Sequence, residues 1–254
     1  MSTNGTGRPP EDDEKIVKFP TLADRDRARK EQLKQEAIHR KHARAGNANT
    51  PPFLNLGKIP PFTKLMAVAL LLINIPLFLK PVWHTDAIFK FGFIPGNFTD
   101  GNITILEGLT PLSHIFIHGD VMHLLFNLVM LVALGMFFEK IVGLKRTLQF
   151  FGICCLAGAA VYFALTPNSP APMVGASGGV SGFFAAILMV MHGQGRMGQL
   201  GHKLARYGYW PIVGFWLALM LVIGFLSGAN VAWQAHTGGY VAGALLFHFW
   251  IRKI

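Results

Sequence analysis

Acid is what this sequence has least of. Only 13 of its 254 residues are Asp or Glu, against 23 Lys or Arg. From Val121 to the C-terminal end the sole acid is Glu139. The charged fraction, 14%, is far below the ~25% of a typical soluble domain. So few charges cannot solvate the surface of a water-soluble fold, which leaves lipid as the solvent. Cysteine is also scarce. The two present, Cys154 and Cys155, are helical neighbours that point in different directions, so they are read as buried packing residues rather than a disulfide, and no Cys/His arrangement suggests zinc. The first residues, "MSTNGTGRPPEDDEKIVKFP", are polar and lack an apolar core, so they are not expected to act as a cleavable signal peptide.

What is abundant is apolar sequence, 52% of the chain. Uncharged runs at about 65–79, 123–138, 147–166, 177–191, 210–227 and 234–250 each approach the ~20 residues that cross a bilayer as a helix. The pattern predicts an all-α membrane protein with six transmembrane helices in residues 61–254. Residues 1–60 hold 12 Lys/Arg and 8 Asp/Glu and are expected to be a polar, mixed-charge tail, partly disordered or helical. The alternative reading of that tail, with its basic residues held near anionic headgroups, is the weaker one. Lys140, Lys145 and Arg146 follow the second run, Arg196, Lys203 and Arg206 the fourth, and Arg252 and Lys253 the last, whereas the intervening loops are uncharged. That asymmetry predicts cytoplasmic N- and C-termini. Topology and the tail account for the basic excess, so no nucleic-acid partner is expected. The expected location is a bacterial inner (plasma) membrane.

Polar groups inside a bilayer are costly and mark function. "HGDVMHLLFN" leads into the second run with His118, His123 and Asn127, the last two on one helical face at i and i+4. "VGASGGVSG" opens the fourth run with Ser177, and "AHTGGYVAG" opens the sixth with His236. Gly178 and Gly182 follow the serine, and Gly239 and Gly243 follow the histidine, each pair giving its helix a small-residue face for close packing. Counted back from the cytoplasmic charges at 1.5 Å per residue, Ser177, His236 and His123 lie at one level, roughly 22–28 Å up. A lone serine or histidine in a span is more often a helix–helix hydrogen bond, and His248 is read so; His84, His192 and His202 are expected in loops. Four polar groups at one depth on three helices point to chemistry.

A serine beside a histidine is the minimal unit of nucleophilic catalysis, the imidazole taking the hydroxyl proton as the oxygen attacks a carbonyl. With Glu139 at the far membrane face, the spans offer no carboxylate for a triad; loop acids such as Asp86 or Asp100 are the alternative third member, and the economical expectation is a Ser177–His236 dyad. The oxyanion would be met by the Ser177 backbone N–H at the helix start and by the side chains of His123 and Asn127, with His118 as a possible accessory. Gly-x-Ser-x-Gly at Gly175, Ser177 and Gly179 also fits the nucleophile elbow of soluble hydrolases, but that elbow needs a preceding strand, and here a proline-rich loop precedes it.

The sequence resembles the rhomboid family of intramembrane serine proteases. The matching pieces are "HGDVMHLLFN" (H-x-x-x-x-H-x-x-x-N), "GASG" and "AHTGGYVAG" (A-H-x-x-G-x-x-x-G), on runs two, four and six in the family's order, within residues 62–251. The resemblance implies a six-helix rhomboid-like bundle with a water-filled cavity open to the outer side. It implies Ser177 as nucleophile, His236 as general base and acid, and His123 and Asn127 in the oxyanion site. Partners would be transmembrane protein substrates, cleaved near unstable, small-residue segments of their helices, and no metal or organic cofactor is implied. Two features depart from the pattern: Leu109 and Thr110 stand where many members carry Trp-Arg, and Ser181 where many place an aromatic residue. The alternatives are a non-catalytic rhomboid-like chaperone, whose usual sign is loss of the serine or histidine, and a membrane protein whose His114, His118 and His123 hold a metal or haem.

Overall fold

The computed structural model describes residues 29–31, 33–34, 59–99, 101–193, 208–226 and 232–251. The chain forms two compact units, Met1–Pro52 and Phe53–Ile254; in the first, the described residues 29–31 and 33–34 are helical and exposed. The second unit is helical, and its described residues hold no strand beyond one isolated bridge, Phe93 with Met173. Its helices are α1 (Pro61–Phe78), α2 (Pro81–Phe91), α3 (Ile105–Ser113), α4 (Val121–Val142), α5 (Leu144–Leu165), α6 (Ser177–Gly193), α7 (Trp210–Leu226) and α8 (Trp233–Leu246). A π-helical turn, Phe247–Ile251, extends α8, and another, Leu131–Gly135, interrupts α4.

Among the described residues three helices, α1, α4 and α5, are long and apolar enough to cross a membrane, and Ser177–His192 and Trp210–Val222 are shorter apolar helices. Their outward faces are apolar: Leu65, Leu72 and Phe126 are each more than two-thirds exposed, the signature of a surface solvated by lipid. The interior is aromatic at one end. Phe150 and Phe183 stack with centroids 5.8 Å apart, Phe138 lies 4.4 Å from Phe150, and Phe62 meets Phe151 edge-on at 5.3 Å.

Several expected boundaries shift. Helix α1 starts at Pro61 rather than near 65 because proline suits the first turn and a distant carboxylate satisfies the free N–H groups there. Glu139, only 3% exposed, accepts from Phe62 N at 2.8 Å, Thr63 N at 2.9 Å and Thr63 Oγ1 at 3.0 Å. The π turn in α4 coincides with its close approach to α1, where a Cβ at Gly135 would lie 3.0 Å from Thr63 Oγ1. The first loop carries two helices, α2 and α3, that periodicity did not announce. His84 therefore lies in α2 and His192 in the last turn of α6, not in loops. His202, the flanking Arg196, Lys203, Arg206, Arg252 and Lys253, and most of the tail lie outside the described residues.

Helix α8 sits between α5 and α6 and touches both through backbone. A Cβ at Gly239 would fall 2.0 Å from Gly178 O, and one at Gly243 would fall 2.4 Å from Gly182 Cα. On its other side, a Cβ at Gly238 would fall 2.6 Å from Ala157 O. Only glycine permits such contact.

Candidate active site

The close approach of α6 and α8 sets the geometry at their N-terminal ends. Ser177, the first residue of α6, and His236, in the first turn of α8, both half-buried, meet with Oγ and Nε2 2.8 Å apart. A neutral imidazole accepting there carries its proton on Nδ1. The contact lies in the wall of a cavity of about 1070 Å³, whose lining includes His123, Asn127, Ser181 and Gln234. Met122, Phe126 and Met130 of α4 line it as well while remaining more than a third exposed, so the cavity is open along the lipid side of α4.

Opposite the dyad, the first turn of α4 is capped by Asp120, whose Oδ1 accepts from His123 N at 2.8 Å. The imidazole of His123 receives Gly119 N–H at Nδ1, 3.4 Å away. That tautomer puts the ring's own proton on Nε2. Nε2 lies 2.7 Å from where a Cβ on Gly175 would be, and Asn127 Nδ2 lies 3.8 Å from the same point. Gly175, at φ +110°, has both the backbone and the contact that exclude a side chain. Two side-chain donors thus lie beside the loop that delivers Ser177, and the start of α6 leaves backbone N–H groups free of intrahelical partners. Asn127 Nδ2 also donates to His123 O at 3.0 Å, while its Oδ1 is buried without a partner.

His118 does not reach the dyad. Its ring is fully buried, has no hydrogen-bond partner at either nitrogen, and packs edge-on against His123 at 5.1 Å. Its backbone is fixed from two sides, N–H donating to Asn74 Oδ1 at 2.9 Å and carbonyl contacting His84 Nε2 at 2.8 Å. Burial, and next the charge of His123, pushes the His118 imidazole down to about 3, and burial pushes His114 to about 4. His114, also buried, gives its carbonyl to Gly175 N–H at 2.8 Å and so ties the first loop to the segment before Ser177. The Phe93–Met173 bridge, with both N···O distances 2.9 Å, is a second tie.

Sequence reasoning passed over these fastenings. Asn74 in α1 also donates to Phe116 O at 2.8 Å; a buried asparagine in the first run was its only advance sign. Where Trp-Arg is missing, the loop is held by a capping box, Thr104 with Glu107, and by Asn97 Nδ2 donating to Glu107 Oε1 at 2.9 Å. The Thr104 side-chain and backbone bonds lower the Glu107 carboxyl below its ordinary value. His114, His118 and His123 do not converge: among the described residues no three His, Cys, Asp or Glu are grouped to hold a metal.

The model of the Rhomboid domain matches residues 107–253. The chain belongs to the rhomboid family. No individually curated protein gives a significant match. The matched span takes in every rhomboid motif read from the sequence, from His118 to Gly243, but begins after α1 and α2. As a rhomboid protein with several apolar helices, this is an integral membrane protein.

Proposed function

We propose that this rhomboid chain is an intramembrane serine endopeptidase that cuts peptide bonds in or near transmembrane segments of other membrane proteins, working through a Ser177–His236 dyad. In this reading α1, α4, α5, α6, α7 and α8 are six spans of a protease domain at 61–254, residues 1–60 form a cytoplasmic tail, and both termini face the cytoplasm of a bacterial cell. The observation that carries it is the 2.8 Å contact between Ser177 Oγ and His236 Nε2 inside a cavity.

The chemistry follows from the positions. His236 Nε2 takes the hydroxyl proton as Ser177 Oγ bonds to the substrate carbonyl carbon. The oxygen that gains charge is met by His123 Nε2–H, Asn127 Nδ2–H and the Ser177 backbone N–H, donors already fixed before the substrate arrives. When the C–N bond breaks, His236 returns the proton to the leaving amine, and a serine ester remains. Water then attacks that ester with His236 again as base, restoring the hydroxyl and releasing the acid. The neighbouring glycine contacts hold the two helices close and so bring the imidazole against the hydroxyl.

The test is cleavage of a single-span substrate in vesicles by the wild type and by Ser177→Ala, with labelling of Ser177 by a fluorophosphonate probe. Cleavage and labelling should both vanish in the variant. Equal cleavage by the two proteins would remove Ser177 as nucleophile, and an unlabelled, inactive wild type would favour the non-catalytic, chaperone-like reading.

A further inference from the structure

A second cavity, of about 540 Å³, opens at the other ends of α6 and α8, and the dyad does not use it. It lies where the last turn of α6, the start of α7 and the π-helical turn after α8 meet. His192, Tyr209, Trp210 and His248 line it over an apolar floor of Met189 and Phe247. Small-ligand sites span about 300–1,000 Å³, so the space suits a chemical group larger than a water. Its polar groups are of one kind. His192 Nε2 is buried with no hydrogen-bond partner, and an orphaned nitrogen calls for one. His248 Nδ1 contacts the Tyr209 hydroxyl; with that hydroxyl donating, the ring carries its own proton on Nε2. Trp210, 43% exposed, adds an indole N–H that can only donate. Among the described residues no carboxylate lines the cavity.

The sequence on either side of the cavity carries charge of one sign. The segment joining α6 to α7 holds Arg196, Lys203 and Arg206, Arg252 and Lys253 follow the π turn directly, and neither segment holds an acid. The carbonyl ends of α6 and α8 oppose an anion with roughly half an elementary charge each, and the amide end of α7 returns about the same amount. Five full positive charges outweigh that remainder, so the ligand is an anion. We infer that this cavity binds the phosphate of an anionic phospholipid, with His192, His248 and Trp210 donating to its oxygens and the glycerol carbons resting on Met189 and Phe247. The inference builds on the topology proposed above, in which these helix ends lie at the cytoplasmic headgroup level, where basic pockets between helices meet anionic lipid. A lipid fits better than a soluble phosphate because the floor is apolar and the exposed rings of Trp210 and Phe249 stand at the cavity's edge in sequence, the amphipathic make-up of an interfacial site. One phosphate would tie together the ends of three helices and stabilise the fold by mass action.

The experiment titrates the full-length protein in neutral detergent with phosphatidylglycerol, with phosphatidylcholine or with inorganic phosphate. It reads the unfolding midpoint and, by native mass spectrometry, the lipid each chain retains. Phosphatidylglycerol should raise the midpoint and be held about tenfold more tightly than phosphatidylcholine, at one molecule per chain. His192→Ala should weaken that retention while the lipid-free chain still unfolds cooperatively. Trp210→Phe, which keeps a ring but loses the N–H, should weaken it too and serves as the second variant should His192→Ala not fold. Ser177 should be labelled by the fluorophosphonate in both variants as in the wild type, since His192 lies 15 residues along α6, about 22 Å from it. Equal retention of the two lipids by the wild type, or wild-type retention by both folded variants, overturns the site. Inorganic phosphate raising the midpoint as far as phosphatidylglycerol overturns lipid as the occupant. Selective retention of phosphatidylglycerol by a wild type that neither cleaves nor labels supports the lipid site and overturns the protease reading instead.

Discussion

Gly239→Ala tests whether the glycine contact positions the dyad. A Cβ at Gly239 would lie 2.0 Å from Gly178 O, whereas ordinary contact begins at 3.4 Å. Relieving the overlap means separating α6 and α8 by about 1.4 Å, since the obstructing atom is backbone and cannot rotate away. Gly178 follows Ser177 directly and Gly239 is three residues after His236, so the displacement is passed to the dyad almost undiminished. The 2.8 Å Oγ–Nε2 separation would open to about 4.2 Å, beyond hydrogen-bond reach. A misplacement of about 1 Å costs on the order of 100-fold in rate, or roughly 2.8 kcal/mol of transition-state stabilisation. The assay is kcat/KM on a single-span substrate together with the rate of fluorophosphonate labelling, both expected to fall about 100-fold. Gly152→Ala is the control, since nothing lies within 4 Å of a Cβ there, and it should behave as wild type. If Gly239→Ala stays within threefold of wild type, helix contact does not set the dyad.

Two further outcomes follow from buried polar groups. Glu139→Ala leaves three donors of α1 without their charged acceptor; at about 1.5 kcal/mol each the loss is roughly 3–5 kcal/mol, readable as a lowered unfolding midpoint in detergent, and an unchanged midpoint would refute the capping role. His114 and His118 are held below their ordinary value of 6.5, at about 4 and about 3. The unfolded chain therefore binds more protons than the folded one once the pH falls below about 6.5, so stability is full above that pH and declines beneath it. At pH 5 the decline is about 2 kcal/mol for each histidine; His118→Phe should make the unfolding midpoint less sensitive to pH between 7.5 and 5, and equal sensitivity in variant and wild type would contradict this.

The sequence disclosed what obeys a repeat or a local cost. Apolar runs mark helices because lipid forbids charge on them, and Gly239 and Gly243 mark a contact face because their spacing follows the helical turn. Ser177, His236, His123 and Asn127 stood out because polar groups are rare in such runs. What stayed hidden depends on distance along the chain. Glu139 was visible as the lone late acid, yet nothing in its neighbourhood says that it caps α1, 76 residues earlier. Helices α2 and α3 were missed because an 11-residue and a nine-residue segment carry too few turns for periodicity to separate them from loop. Gly158 and Gly238 escaped notice because no polar residue heads their contact. Ser181 was noticed only as a missing ring; that it lines the cavity wall is a fact of packing.

The fastenings also explain how donors and nucleophile, carried by helices that touch little, keep their relative position. Cavity, not side chain, lies between the upper part of α4 and α6, so direct packing cannot fix His123 against Ser177. The register comes round through the backbone instead. Asn74 on α1 holds the loop at Phe116 and His118, the carbonyl of His114 holds Gly175, and Gly175 has no side chain to keep His123 away. The links through Asn74 and His114 are hydrogen bonds of buried groups, and such bonds are costly to leave unmade. The space a substrate must enter can therefore stay empty while the groups on either side of it remain in place.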